Sequence, residues 1–293
     1  MSSLVARAQL VAAVASQYSD QVDKEGRFPT EAVRAMKEAR LLSAYIPREF
    51  GGEGASLAEI AEVCSVISQS CSSAGMTFAM HQIKVSSLIS HGCEADWHRD
   101  FMRRVSAEQL LVASATTEGG GIGGNLRNSV CAVERDGDRF RLAKEGTCIS
   151  YGADADAILI TARRAPDAPA SDQVMAVVTK DQYKLELTNK WDALGMRGTC
   201  SDNFNFSCEG SVEQILPSDF GEIAATSMLA ICHILWSAIW YGIATNALSR
   251  AQSFVRAEAR RMPNQTPPGA LRVAEAASLL QLMRSNTSAA ITR

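Results

Sequence analysis

Apolar positions follow a helical spacing in the first third of the chain and a strand spacing in the middle third. Leu4, Ala8, Val11, Ala15, Tyr18 and Val22 alternate between gaps of four and three, which predicts a helix with one apolar seam. Pro29 opens a second helix that carries Val33 and Met36 and ends near Leu42. Ser56 with Glu59 forms the pattern of a capping box, in which each side chain satisfies a backbone donor at the helix start. The helix it opens turns Leu57, Ile60, Cys64 and Ile67 inward, and further helices are predicted over Met76–Ser90 and Ala95–Val105.

From Leu110 the period drops to two. Strands are predicted at Leu110–Thr117, Asn128–Arg135, Arg139–Lys144, Ala157–Thr161, Val174–Thr179, Tyr183–Thr188 and Asp202–Cys208. Asp136-Gly137 between two alternating runs is a hairpin signal. Short strands divided by turns point to an antiparallel sandwich or barrel. Helical spacing returns at Glu222 and runs to Arg261; Met262–Gly269 interrupts it, and a last helix follows from Ala270. Within the long helix, Met228–Ile243 is apolar nearly all round. It is shorter than the ~20 residues that span a bilayer, so it predicts a buried bundle member and no membrane span. The remaining helix is not enough to cover it, so the bundle is expected to be incomplete. The fold class is therefore α+β: an N-terminal helical domain (1–108), a middle antiparallel β-domain (109–217) and part of a C-terminal α-bundle (218–293).

Composition narrows the picture. Of the 293 residues, 46% are hydrophobic and 21% charged, ordinary globular values, and the net charge of −3 gives no reason to expect nucleic acid. The eight cysteines contain no C-x-x-C pair and no zinc spacing, and the start of the chain lacks a basic-then-apolar signal pattern. Free, mostly buried thiols in a cytoplasmic protein, with no metal, are the expectation.

The glycine cluster Glu118–Asn125 (EGGGIGGN) satisfies G-x-G-x-x-G at Gly119, Gly121 and Gly124. That dinucleotide fingerprint works only when a helix N-terminus follows to receive the pyrophosphate. Here a strand hairpin follows, so the Rossmann reading fails.

Four segments in order carry a resemblance to the acyl-CoA dehydrogenase family. They are Ala44–Gly54 (AYIPREFGGEG), Ala115–Glu118 with its glycines (ATTEGG), Thr147–Asp154 (TCISYGAD) and Leu194–Ser201 (LGMRGTCS). The resemblance spans essentially the whole chain and implies an FAD-dependent oxidoreductase of lipid metabolism. The flavin would lie between the β-domain and the C-terminal bundle. By residue match, Ser114 and Thr116 offer backbone groups to the flavin ring, and Thr117 bonds its pyrimidine side. Gly123 and Gly124 approach the pyrophosphate, while Cys148 and Ser150 stand where the family has an aromatic residue and a hydroxyl beside the ring. This chain departs from the pattern in a loop one residue longer, in Gly119 for proline, in Gly124 for serine and in Cys148 for the aromatic residue. The family's arginine-phenylalanine pair after the long helix has no clear match, Arg260 and Arg261 being the nearest basic residues.

Family chemistry removes an α-proton from an acyl thioester with a carboxylate base. By resemblance the usual glutamate falls beyond Arg293, so the catalytic base is unassigned. Cys232 holds an alternative base position on the long helix; His233 beside it and His81 on the fourth helix complete the candidate substrate pocket. Three functions compete. The first is an acyl-CoA dehydrogenase with FAD, an electron acceptor, and a homodimer or homotetramer. The second is a flavin-dependent monooxygenase on the same fold, with FAD or FMN and a flavin reductase. The third is a non-catalytic interaction protein that kept the scaffold.

Overall fold

A computed structural model describes residues 3–120, 124–262 and 265–292. The helical unit comprises α1 (Leu4–Glu25), α2 (Thr30–Glu38), α3 (Leu57–Ser68), α4 (Ser72–Gly92) and α5 (Asp96–Glu108). The seam of α1 is buried as its spacing predicts at Leu4, Ala8, Val11, Ala15 and Val22, and Tyr18 is half-buried. Arg7 joins that face because its guanidinium donates to the Ala39 carbonyl at 2.8 Å and to Glu53 at 2.6 Å. The capping box is present at α3: the Glu59 N–H donates to Ser56 Oγ at 3.3 Å and the Ser56 N–H to Glu59 Oε2 at 2.8 Å. The second helix is shorter than expected. It ends at Glu38, and Arg40 takes a left-handed φ of +54°, a backbone turn no helix continues through.

The middle of the chain supplies β1 (Val112–Ala115), β2 (Glu134–Asp136), β3 (Arg139–Ile149), β4 (Ala157–Arg163), β5 (Gln173–Thr179), β6 (Tyr183–Asn189) and β7 (Asp202–Ser211). They form one sheet in the order β1-β4-β5 and another in the order β2-β3-β7-β6. The Asp-Gly hairpin is formed, with Asp136 paired to Arg139 and Gly137 at a φ of +60°. β3 alternates exposed and buried positions along most of its length, as a strand with one face on a core must.

Two expectations need correction. β1 and β4 run parallel, Val112 opposite Ala157 through Ala115 opposite Ile160, although the other paired strands are antiparallel. β1 enters its sheet directly from α5, and the chain visits the second sheet before returning as β4, so the pair is a crossover. Within Asn128–Arg135, only Glu134 and Arg135 fall in a named strand. Ser129 to Val133 instead lie along the far end of β4, with Val133 N–H donating to the Arg163 carbonyl and Arg163 N–H to the Cys131 carbonyl, both at 2.9 Å.

One carboxylate joins the helices to the sheets. Asp156 Oδ2 accepts from Lys37 Nζ on α2 and from the Leu111 N–H just before β1, both at 2.7 Å. A second dock lies at Arg197–Thr199, where Arg197 Nε donates to the Asp23 carbonyl at 2.8 Å and the Gly198 N–H to Ser73 Oγ at 3.1 Å.

The C-terminal part comprises α6 (Phe220–Ile223), a π-helical turn (Ala224–Met228), α7 (Leu229–Arg261) and α8 (Ala270–Ile291). α7 packs on α3, α4 and α8. It is buried along only one stripe, Leu235, Ala238, Ile239 and Gly242, and α8 has no fully buried residue. The long helix is thus not enclosed as its apolar run suggested. Trp240 and Phe254 on α7 and Leu271, Leu279 and Leu282 on α8 are exposed. Among the described residues, Phe220–Arg261 is the one helix long and apolar enough to cross a membrane by length and composition.

Gly242 sets how closely α7 meets α3, because a Cβ there would run into the Ser65 carbonyl. Gly242→Ala should therefore force the helices apart and lower stability by about 1–3 kcal/mol, as overpacking does. Urea denaturation of the variant beside the parent protein measures it.

Candidate functional site

Strand β1 pairs along one edge only, since β4 is its single neighbour in the sheet. On the other edge, Val112 is held from both sides. Its N–H donates to His81 Nδ1 at 3.0 Å and its carbonyl accepts from Tyr151 Oη at 3.1 Å. In a strand, backbone groups two residues apart face the same edge, so the N–H and carbonyl of Ser114 point the same way as those of Val112. Among the described residues nothing outside the ladders bonds them. Ser114 is buried, at 8% exposure. A buried amide and carbonyl on an open strand edge form a donor-acceptor pair awaiting a partner.

The end of the strand is fixed from inside the sandwich. Lys144 occupies an inward position of β3, between Leu142 and Gly146, and its side chain is fully buried. Its ammonium donates to the Ala115 carbonyl at 3.2 Å, to the Thr161 carbonyl at 2.8 Å and to Thr161 Oγ1 at 3.0 Å. Glu118, first residue of the glycine loop, lies 3.9 Å from the same nitrogen. The Glu118 carboxylate also accepts from Ser129 Oγ at 2.7 Å and from the Cys131 N–H. Burial pushes this carboxyl up, but the Ser129 and Cys131 donors and the Lys144 charge outweigh it and hold the group below the usual carboxylate range. Burial lowers the Lys144 amine, with Cys131 and Glu118 opposing.

Beside β1, two distant segments meet. Thr117 Oγ1 donates to the Cys148 carbonyl at 3.0 Å. Ser150 Oγ lies 2.8 Å from Ser201 Oγ, which lies 2.9 Å from Thr199 Oγ1. Cys148 is half-buried, and burial raises its thiol while the Ser201 and Ser150 hydroxyls lower it. The structure thus brings Ser114, Thr116, Thr117, Cys148 and Ser150 to one end of β1. Gly124 is exposed, with open space where a Cβ would stand, and Gly123 lies outside the described residues.

The substrate-pocket candidates are not gathered in this way. His81 is fully buried, and both ring nitrogens are engaged, Nε2 with the Leu42 carbonyl at 2.7 Å and Nδ1 with Val112 N–H. No ring nitrogen is left for a substrate; the residue is a clamp between α4, the segment after α2 and β1. Burial pushes its pKa down to about 4, so the ring is neutral, with its proton on Nε2. His233 is exposed and bonds Leu229 of its own helix at 2.7 Å. It lines a shallow hollow with Trp240 and Met283. Cys232 is half-buried, and burial raises its thiol, with the charge of Lys84 on α4 opposing. Sequence reasoning passed over Lys84 and Lys144. Each had a signal: Lys144 keeps phase with Phe140 and Leu142, and Lys84 is the only Asp, Glu, Lys or Arg between Ser72 and Ser90. Among the described residues no three His, Cys, Asp or Glu side chains come together as a metal site.

Residues 5–109 match the family model of the acyl-CoA dehydrogenase N-terminal domain. FMN-bound TdsC from Paenibacillus sp. A11-2 superposes over 97% of this chain and 74% of its own, with a TM-score of 0.85 at 20% identity. The chain has the acyl-CoA dehydrogenase-like fold. Its relatives in sequence include a cyclohex-1-ene-1-carbonyl-CoA dehydrogenase of Syntrophus aciditrophicus, 26% identical over 80% of this chain and 57% of that protein. Another is a dibenzothiophene monooxygenase of Mycolicibacterium goodii, 24% identical over 86% of this chain and 62% of that protein. The chain therefore spans about three-fifths of the length of such relatives, and both dehydrogenases and monooxygenases share its acyl-CoA dehydrogenase-like pattern.

Two predictions follow from the geometry around β1. The His81 ring is kept neutral in the folded protein but takes up a proton near pH 6.5 when unfolded. Its contribution is therefore complete above that pH and is lost as pH falls toward 4, about 3 kcal/mol in all. His81→Ala should flatten this part of the stability-pH curve as well as lower stability at neutral pH, which denaturation at a series of pH values measures. Glu118→Gln leaves the Lys144 ammonium buried without its counter-charge and should cost about 3–5 kcal/mol. Adding Lys144→Met should recover part of that loss in the same denaturation assay.

Proposed function

We propose that this chain binds a flavin along the open edge of β1 and with it oxidises a small organic substrate. The observation that carries the proposal is the buried, unpaired backbone of Ser114. The edge of a flavin's pyrimidine ring offers the acceptors and the donor that such a pair requires, and fixed donors there stabilise charge on the reduced ring. In this reading Ser114 and Thr116 hold the ring through their backbone, and Thr117, already braced on Cys148, stands at the pyrimidine side. Ser150 supplies a hydroxyl, and Gly124, with open space at its Cβ position, leaves room for phosphate. A bound flavin would supply a two-electron acceptor or, when reduced, a reductant for dioxygen.

Two chemistries suit this frame. Dehydrogenation of an acyl thioester, the activity named in the Syntrophus relative, needs a carboxylate at the substrate's α-carbon. By the resemblance, the glutamate that would do this falls beyond Arg293. Cys148 also leaves space where the resemblance calls for an aromatic ring. That space favours oxygen-dependent monooxygenation, with a flavin reductase as partner, over thioester dehydrogenation with an electron-transfer partner. Assembly as a homodimer or homotetramer in the cytoplasm belongs to the same proposal.

Ser114→Pro tests the central contact. It deletes one N–H on the open edge without breaking a ladder bond, a position where an edge strand tolerates proline. The variant should bind flavin about tenfold more weakly, the worth of one buried hydrogen bond, and Thr117→Val should weaken retention in the same direction. Absorbance of desalted protein after reconstitution with FMN or FAD reads both and separates the two cofactors. Oxygen uptake with supplied reduced flavin, and no bleaching by butyryl-CoA, are the expected activities. Parent protein that retains neither flavin would leave the non-catalytic scaffold as the surviving reading.

A further inference from the structure

Three hydroxyls beside the open edge of β1 form a chain that runs in one direction only. Ser150 Oγ lies 2.8 Å from Ser201 Oγ, Ser201 Oγ lies 2.9 Å from Thr199 Oγ1, and Thr199 Oγ1 lies 3.0 Å from the Met196 carbonyl. All three residues are buried. A hydroxyl has one hydrogen to donate and two lone pairs to accept with, whereas a carbonyl only accepts. The hydrogen of Thr199 therefore goes to Met196, that of Ser201 to Thr199, and that of Ser150 to Ser201. Ser150 is left with lone pairs and no hydrogen. Burial keeps the nearby Cys148 thiol neutral, and a thiol sulfur is too weak an acceptor to redirect the chain.

The residues around the chain hold it against β1. Tyr151, next to Ser150, places its phenol on the Val112 carbonyl, and its N–H donates to the Thr199 carbonyl at 2.8 Å. The carbonyl of Cys148, two residues before Ser150, holds Thr117. Tyr151, Met196 and Cys200 take left-handed φ values of +43°, +51° and +43°, and each adjoins or supplies a member of the chain. Side-chain-bearing residues adopt that conformation at a cost, and such outliers cluster at functional sites. We infer that Ser201 and Thr199 are positioning residues that fix Ser150 as a hydrogen-bond acceptor, so that the site prefers a reduced flavin to an oxidised one. This rests on the reading of β1 as a flavin edge with Ser150 beside the ring. Reduction places N–H groups where the oxidised ring has bare acceptor nitrogens, and hydrogen bonds to those nitrogens tune the cofactor. The lone pairs of Ser150 attract such an N–H and repel the bare nitrogen. A site with this bias takes up flavin that arrives already reduced.

The test loads the full chain with FMN and, in parallel, with FAD. An anaerobic dye titration then compares the midpoint potential of the bound flavin with that of the free flavin. Reduced flavin should bind about tenfold more tightly than oxidised flavin, the scale of one buried hydrogen bond. For a two-electron couple that raises the potential by about 30 mV. Ser201→Ala and Thr199→Val each release the Ser150 hydrogen to point at the ring, and each should abolish or reverse the preference. Thr199→Ser keeps the hydroxyl and should preserve it. Damage to packing alone would weaken both redox forms alike and leave the potential where it was, so the shift reports the direction of the chain. The parent measurement needs no variant: a bound flavin at or below the free potential overturns the inference. A raised potential that persists in both Ser201→Ala and Thr199→Val overturns it as well. Protein that retains neither flavin removes the flavoprotein reading together with this inference, whereas retained flavin without the shift removes this inference alone.

Discussion

A strand paired on one side only is the constraint around which this molecule is organised. β1 gives one edge to β4 and keeps the other free, and two side chains decide how much of that free edge is used internally. His81 and Tyr151 consume Val112. Lys144, reaching through the sandwich, fixes the Ala115 carbonyl on the paired side. Ser114 lies between these fixtures, so its unpaired groups are held in place before any ligand arrives, and preorganisation of this kind lowers the cost of binding.

The same constraint explains an apparent contradiction in the sandwich. A lysine on the inward face of β3 should disrupt packing, since a one-sided strand turns every second residue into the core. It is tolerated because Glu118, the threonine and two carbonyls satisfy it. The glycine loop begins at that glutamate, so the loop is tethered at its root to the interior of the domain.

Much of the fold was legible in local patterns. The seam of α1, the Ser56–Glu59 box and the Asp136-Gly137 hairpin each rest on residues a few positions apart, where spacing and turn chemistry decide the outcome. The parallel pairing of β1 with β4 depends on residues about 45 positions apart and leaves no trace in alternation. The exposure of α7 depends on what covers a helix, which hydropathy cannot report. At the candidate site, the order of motifs pointed to the end of β1, and the residues there do converge. His81 shows the limit of the sequence, because a histidine with both nitrogens on backbone carbonyl and amide looks, in sequence, the same as one free to act. Lys84 and Lys144 were passed over because lysines are mostly solvated.

The Asp156 junction has a mechanical implication. Its one carboxylate oxygen holds α2 through Lys37 and the entry to β1 through Leu111, and its carbonyl accepts from the Lys180 N–H beyond β5, at 3.0 Å. With Arg197 and Gly198 latched to α1 and α4 as well, the N-terminal helices and both sheets are riveted into a single chassis. Little hinge freedom is left between them. Any opening and closing around a guest molecule would then fall to the α7–α8 arm, which is buried along one stripe and rides on α3 and α4.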